Sequence, residues 1–453
     1  MMVARRPKVE EIVPSAARTV RSLRDIGYQL PQAVADLVDN SIAAGATEVC
    51  VDLQFDGRDS WIRVSDNGAG MNGPTLTEAM RYGTDRDYSA DDLGKFGFGL
   101  KTASTSQCRR LSVASRVAPR NARIEARCLD LDHIEDTNRW EVLVLEGAER
   151  PDHLTAPLQH GPGTVVLWEN LDRVLEYKDP WGEWARRRLL GLAEEVDVHL
   201  GMVFHRFLAG QVPRRRLKIS VNGTKVEPWD PFCTDEPKTE ELPGDDFRVS
   251  GDDGSGIVRV RPYVMPPQAE FSGEAAWRRA SGPRKWNRQQ GLYVYRANRL
   301  IQSGGWSRLR TADEHTKLAR VALDFFPELD SAFGINIAKA IVILPQELRE
   351  AIEPLITAVT RRAQTRYRSA GGDRPGSTPP RRAGRQVEPL RAAASQDPSA
   401  RTDTSRVSAA PEVRRPSDAL EAAAEAAGES EALAAIVKEL RRSSPEVARA
   451  LGW

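Results

Sequence analysis

At 453 residues the chain is long enough for two domains with sizeable cores, and its 65 Lys and Arg against 64 Asp and Glu leave a net charge of +1, which excludes a global field steering it onto nucleic acid. Cys50, Cys108, Cys128 and Cys233 stand far apart with no C-x-x-C spacing, which argues against a zinc site and a disulfide framework and fits a reducing, cytoplasmic setting. No apolar run approaches the ~20 residues of a membrane span, and Arg5, Arg6 and Lys8 are not followed by the apolar stretch of a signal peptide.

Residues 1–14 read as an arm with Pro7 and Pro14. Ser15 is placed to cap a helix running to about Ile26, with Ala16, Val20 and Leu23 inward. In the next helix Val34, Leu37, Val38 and Ile42 form an apolar stripe at helical spacing. Asp36 and Asn40 are four apart and share a face. A carboxylate there can orient and deprotonate a water, and a carboxamide oxygen is a hard neutral ligand for Mg²⁺. Residues 48–55 and 61–65 alternate as strands around the turn Asp56-Gly57-Arg58-Asp59. Asp66 then falls at a strand end, before Asn67-Gly68-Ala69-Gly70-Met71. A carboxylate so placed can accept a hydrogen bond from a purine amine, and glycines let backbone approach the base.

Pro74 to Tyr82 reads as a helix, with Pro near its first turn. Residues 83–99 are polar and Gly-rich and read as a lid that orders on nucleotide. Gly94, Gly97 and Gly99 let successive N–H groups converge on phosphate at the start of a helix from Leu100 to Ser106, with Lys95 and Lys101 supplying positive charge. The spacing is neither the dinucleotide fingerprint nor the Walker loop. Each pattern alone also describes a solvated helix face, a turn or a surface loop. Their order and spacing together point to one nucleotide site.

Strands are expected at about 109–117, 121–129, 140–146 and 163–169, in a mixed sheet with helices on one face. Residues 180–208 read as largely helical and end the first domain near Gly210. From 211 a hairpin at 217–226 turns on Asn222-Gly223, and further strands are expected at 257–264, 291–295, 320–325 and 333–344. A helix from Gln346 to Tyr367 closes the second domain. Residues 368–416 carry ten Arg against five acidic residues, with much Pro and Ser, and are expected to be disordered. Residues 417–453 recover helical character, with Leu433, Ile436, Val437 and Leu440 on one stripe.

The order D-x-x-x-N (Asp36, Asn40), D-x-G-x-G (Asp66, Gly68, Gly70), G-x-x-G-x-G (Gly94, Gly97, Gly99) and Gly161-Pro162-Gly163-Thr164 resembles the four motifs of the GHKL ATPase superfamily. Residues 199–206, 221–223, 228–232, 290–296 and 298–301 look most like its MORC branch, including prokaryotic members, and the likeness spans roughly 15–365. The resemblance implies an α+β chain: a GHKL (Bergerat) ATPase α/β sandwich, then an S5-like transducer domain, a basic linker and a short helical tail. It implies ATP and Mg²⁺ as ligands. Asn40 would hold the metal, Asp66 would read adenine with Gly68, Gly70 and Met71 shaping its pocket, and Thr164 would reach the adenine side. Gly94, Lys95, Gly97, Gly99, Leu100 and Lys101 would form the phosphate lid. Asp36 would activate water, although the family uses Glu there. The second domain would deliver a lysine to the γ-phosphate, assigned to Lys339 with Lys317 as the alternative.

The implied activity is that of an ATP hydrolase that dimerises as a clamp, on DNA, with defence-system proteins as further partners. DNA contact is expected at Arg214-Arg215-Arg216 and along Trp277–Arg288, where aromatics lie among cations. Two other classes stay open. One is a nucleotide-gated interaction protein with little turnover. The other is a histidine protein kinase, disfavoured because no His precedes His133.

Overall fold

The protein is described by a computed structural model at residues 12–25, 28–83, 99–119, 122–175, 178–252, 254–335, 342–371, 430–443, 445–446 and 449. The chain divides into two units, Met1–Ser377 and Thr378–Trp453. Within the second, a helix runs from Ser430 to Ser443, with Arg442 paired to Glu439 on its surface.

The first unit contains two sheets. The first has eight strands: β1 (Glu48–Gln54), β2 (Trp61–Asp66), β3 (Arg110–Arg116), β4 (Glu125–Asp130), β5 (Leu143–Val144), β6 (Gly163–Glu169), β7 (Lys218–Val221) and β8 (Thr224–Lys225), in the order β5-β4-β3-β6-β2-β1-β7-β8. In β1, Val49, Val51 and Leu53 are buried while their neighbours are not, as period-two alternation dictates. Around this sheet lie α1 (Ala16–Arg24), α2 (Leu30–Ala43), α3 (Gly73–Ala79), α4 (Gly99–Thr105), α5 (Leu131–Thr137), α6 (Asp152–Thr155), α7 (Glu183–Val203) and α8 (His205–Leu208). Ser15 caps α1 as expected. Successive residues of β3 and β6 serve opposite cores. Val113, Val166 and Trp168 join the large core shared with α1, α2 and α7, while Ala114, Val165 and Leu167 join a smaller one with Leu154 and Leu158.

The second sheet holds β9 (Glu240–Glu241), β10 (Asp245–Gly251), β11 (Gly254–Val264), β12 (Gly291–Arg296), β13 (Arg299–Ser303) and β14 (Ala319–Phe325), in the order β10-β11-β14-β12-β13 with β9 on β11. Every residue of β12 is buried. α9 (Glu274–Ala280) and α10 (Lys285–Gln289) precede it, and α11 (Gln346–Gly371) closes the unit by burying Leu348, Ile352, Ile356, Val359 and Ala363. Arg296 makes a buried two-pronged pair with Asp330, at 2.7 and 2.8 Å.

Three expectations change. The hairpin at 217–226 belongs to the first sheet: β7 pairs in parallel with β1, so the change of sheet falls after Lys225 rather than near Gly210. The strand expected over 333–344 is not one at its described ends. Phe333 and Gly334 lie in a turn and residues 342–345 are coil, with 336–341 outside the described residues. The expected strand at 140–146 shrinks to the two residues of β5. Among the described residues no helix is long and apolar enough to cross a membrane.

The two sheets meet along a seam. Nε2 of His205 lies 2.9 Å from the Tyr295 hydroxyl, and the Arg206 guanidinium pairs with Asp324 while stacking 3.6 Å from the Tyr295 ring. The segment 228–232 is tied in by Arg320, which is fully buried and donates to the carbonyls of Pro231 and Ala280. His205, Arg206 and Tyr295, all motif residues outside the nucleotide pattern, thus join the two halves.

Candidate active site

α2 exists because Leu30-Pro31 starts it with proline in its first turn and because nine of its next residues can be buried without polar cost or with a partner. Asp36 is one of them, at 3 % exposure, while Asn40 one turn later is exposed. One Asp36 oxygen accepts the Tyr28 hydroxyl at 3.0 Å. Burial and the Asp36 charge push that phenol well above its ordinary range, so it stays a donor. The other Asp36 oxygen lies 3.4 Å from Nη2 of Arg299, on β13. The start of α4 comes close to the same carboxylate: a Cβ added at Gly99 would stand 3.9 Å from Asp36 Oδ2.

Asp66 closes β2 and faces donors on every side. Ser41 of α2 donates to one oxygen at 2.9 Å and the Gly68 amide to the other at 2.8 Å. Burial pushes its carboxyl up, opposed by the bonds from Gly68, Ser41 and the Thr164 backbone. The loop after it is sewn down by Asn67, whose Oδ1 accepts from the amides of Thr47 and Glu48. Gly68 and Gly70 are needed here because protein, not only ligand, comes close. A Cβ at Gly68 would meet Ala44 at 2.9 Å, and one at Gly70, where φ is +69°, would meet the Arg116 carbonyl at 1.9 Å.

Thr164 sits opposite Asp66 in the β2–β6 pairing. Its hydroxyl is 2.9 Å from that of Ser115, which donates to the Gly163 carbonyl at 2.8 Å and accepts the Met71 amide at 2.8 Å. Ser115 thus knots two expected site residues, Met71 and Thr164, to the motif residue Gly163. No motif signals it, because its role is set by a cross-strand neighbour.

Lys101 departs from its expected phosphate-side placement. Only 2 % exposed, it donates from Nζ to the Ala79 carbonyl at the end of α3, 3.0 Å away, and burial lowers its amine to about 8. Leu100 packs half-buried on the large core. Gly94, Lys95, Gly97 and Lys339 lie outside the described residues. Lys317 pairs with Glu314 and lies over the Tyr367 ring on α11. In the aromatic-basic run, Trp286 is buried and stacks on Trp277 at 4.0 Å, so these rings serve the core rather than an open stacking platform.

The donor set suits a magnesium nucleotide. Among the described residues no cluster of three or more His, Cys, Asp or Glu could hold a metal alone. An exposed Asn40 carboxamide beside a buried acid matches an ion that keeps most of its shell as water and phosphate.

Residues 28–161 match the family described as histidine kinase-, DNA gyrase B-, and HSP90-like ATPase. The chain is 28 % identical over 246 residues to the DNA mismatch repair protein MutL of Histophilus somni (strain 2336), covering 52 % of this chain and 35 % of that protein. It is 30 % identical over 214 residues to the MutL protein of Salmonella arizonae, covering 46 % and 30 %. The chain thus matches about a third of the length of these relatives.

Proposed function

We propose, from the premise that the chain belongs to the GHKL ATPase superfamily and sits with its MutL branch, that it binds ATP in the first sheet and hydrolyses it to drive closure of a homodimeric clamp. One observation supports this reading: α2 carries a buried carboxylate close to the first residue of α4 and, through Ser41, holds Asp66 at the end of β2. Asp36 takes the proton of the attacking water. Asp66 accepts the purine amine while Ser41, Gly68 and Thr164 orient it and oppose the upward push of burial on its carboxyl. Asn40 would hold magnesium, which would neutralise charge on the phosphates.

Lys339 of the second half is the candidate γ-phosphate contact, and Gly94, Lys95, Gly97, Gly99 and Leu100 the candidate phosphate lid, with Lys101 turned away from it onto the Ala79 carbonyl. DNA is the proposed polymer partner, and the MORC-like reading with its defence context rests on the resemblance alone. The nucleotide-gated reading with slow turnover also has a specific support: Asp36 is ion-paired to Arg299 and is shorter by one methylene than the family's Glu.

Phosphate release from Mg-ATP tests the proposal. The full chain is expected to release phosphate only with Mg²⁺, and Asp36→Asn to lose that activity by roughly a hundredfold or more while still binding ATP. Equal release by the two proteins would refute Asp36 as the base.

A further inference from the structure

α2 carries a second buried carboxylate, Asp39, one turn from Asp36, and the cation between them comes from the other sheet. Nε of Arg299 lies 2.9 and 2.7 Å from the two Asp39 oxygens, and Nη2 lies 3.4 Å from Asp36 Oδ1. The three side chains are 6, 1 and 2 % exposed in the order Arg299, Asp39, Asp36. From α7, His199 faces the same guanidinium, and burial and that charge hold its imidazole neutral, near 4. The acid read as the base is thus ion-paired to β13.

A guanidinium at this distance occupies the Asp36 oxygen that it faces. A general base must turn an oxygen to the water whose proton it takes. The two contacts are also unequal. Asp39 holds the fork closely and Asp36 holds it at its far edge, so a small rotation of β13 can release Asp36 while Arg299 stays on Asp39. β13 pairs with β12, which carries the Tyr295 that meets His205 across the seam, so any shift of the second sheet is felt at this fork.

We propose that Arg299 is a positioning residue that holds Asp36 in a resting state with one oxygen engaged by the guanidinium, and that hydrolysis proceeds when the second sheet draws the guanidinium back onto Asp39. This rests on the reading of Asp36 as the base. It adds a control point to that site, set by an arginine from the second half of the chain.

The test measures kcat, KM and the affinity for a non-hydrolysable ATP analogue in the full chain, Arg299→Gln, and Arg299→Gln/Asp39→Asn. The double variant leaves one net buried negative charge, as in the parent, so it decides the matter if the single variant does not fold. Turnover is expected to rise roughly three- to tenfold with analogue affinity within about twofold. Turnover that is unchanged or lower, with analogue binding intact, would overturn the proposal. A parent chain that binds no analogue would overturn the reading of the site itself, and this inference with it.

Discussion

Asp66 accepts from Ser41 and from the Gly68 amide and has the Thr164 amide beside it, a set of neighbours that suits a carboxylate. Asp66→Asn replaces one acceptor oxygen by an NH₂ and so weakens the proposed acceptor for the purine amine. ATP affinity is expected to fall at least tenfold, about 1.4 kcal/mol, by titration calorimetry. Unchanged affinity would move adenine recognition elsewhere. His199 and His205 belong to this scale too. Burial lowers both imidazoles, His199 to about 4 from an ordinary 6.5. The unfolded chain therefore binds protons that the folded chain refuses, so this stability is complete above about pH 6.5 and drains away as pH falls toward 4. The urea midpoint should be lower at pH 5 than at pH 7.5, and His205→Gln should flatten that difference. The destinations of long side chains were not legible at this scale. Asp36 was found from its spacing to Asn40, but its partner lies 263 residues on. Lys101 reads as a phosphate ligand until packing directs it to Ala79.

Local period served well at the scale of elements. The α2 stripe, the β1 and β2 alternation and the long closing helix stand close to where the pattern puts them. Sheet membership did not follow, because alternation marks a strand without naming its neighbour. The hairpin at 217–226 reads equally well in either half, and only its pairing with β1 places it. The 333–344 run is apolar enough for a strand, yet Phe333 is spent stacking on Phe325 at 4.1 Å, within a turn. Gly163 shows what the element demands of one residue. Its φ is +154° and an added Cβ would sit 2.0 Å from the Asp66 carbonyl. Gly163→Ala is expected to destabilise the first sheet by roughly 1–3 kcal/mol in urea unfolding and to weaken ATP binding with it. A neutral result would mean that the β2–β6 ladder can shift without disturbing the site.

The molecule as a whole is two sheets joined by a seam of paired and buried groups: His205 with Tyr295, Arg206 with Asp324, and Arg299 with α2. Switching proteins turn on paired and packed interfaces of this kind, which pass between discrete arrangements. In the proposed cycle, ATP in the first sheet rearranges the seam and two copies close as a clamp. The most direct measurement is solution mass by light scattering, with Mg²⁺ and a non-hydrolysable ATP analogue and then without it. A nucleotide-driven clamp predicts a mass that doubles only when the analogue is present. A mass that is the same in both conditions, whether of monomer or of dimer, would contradict it.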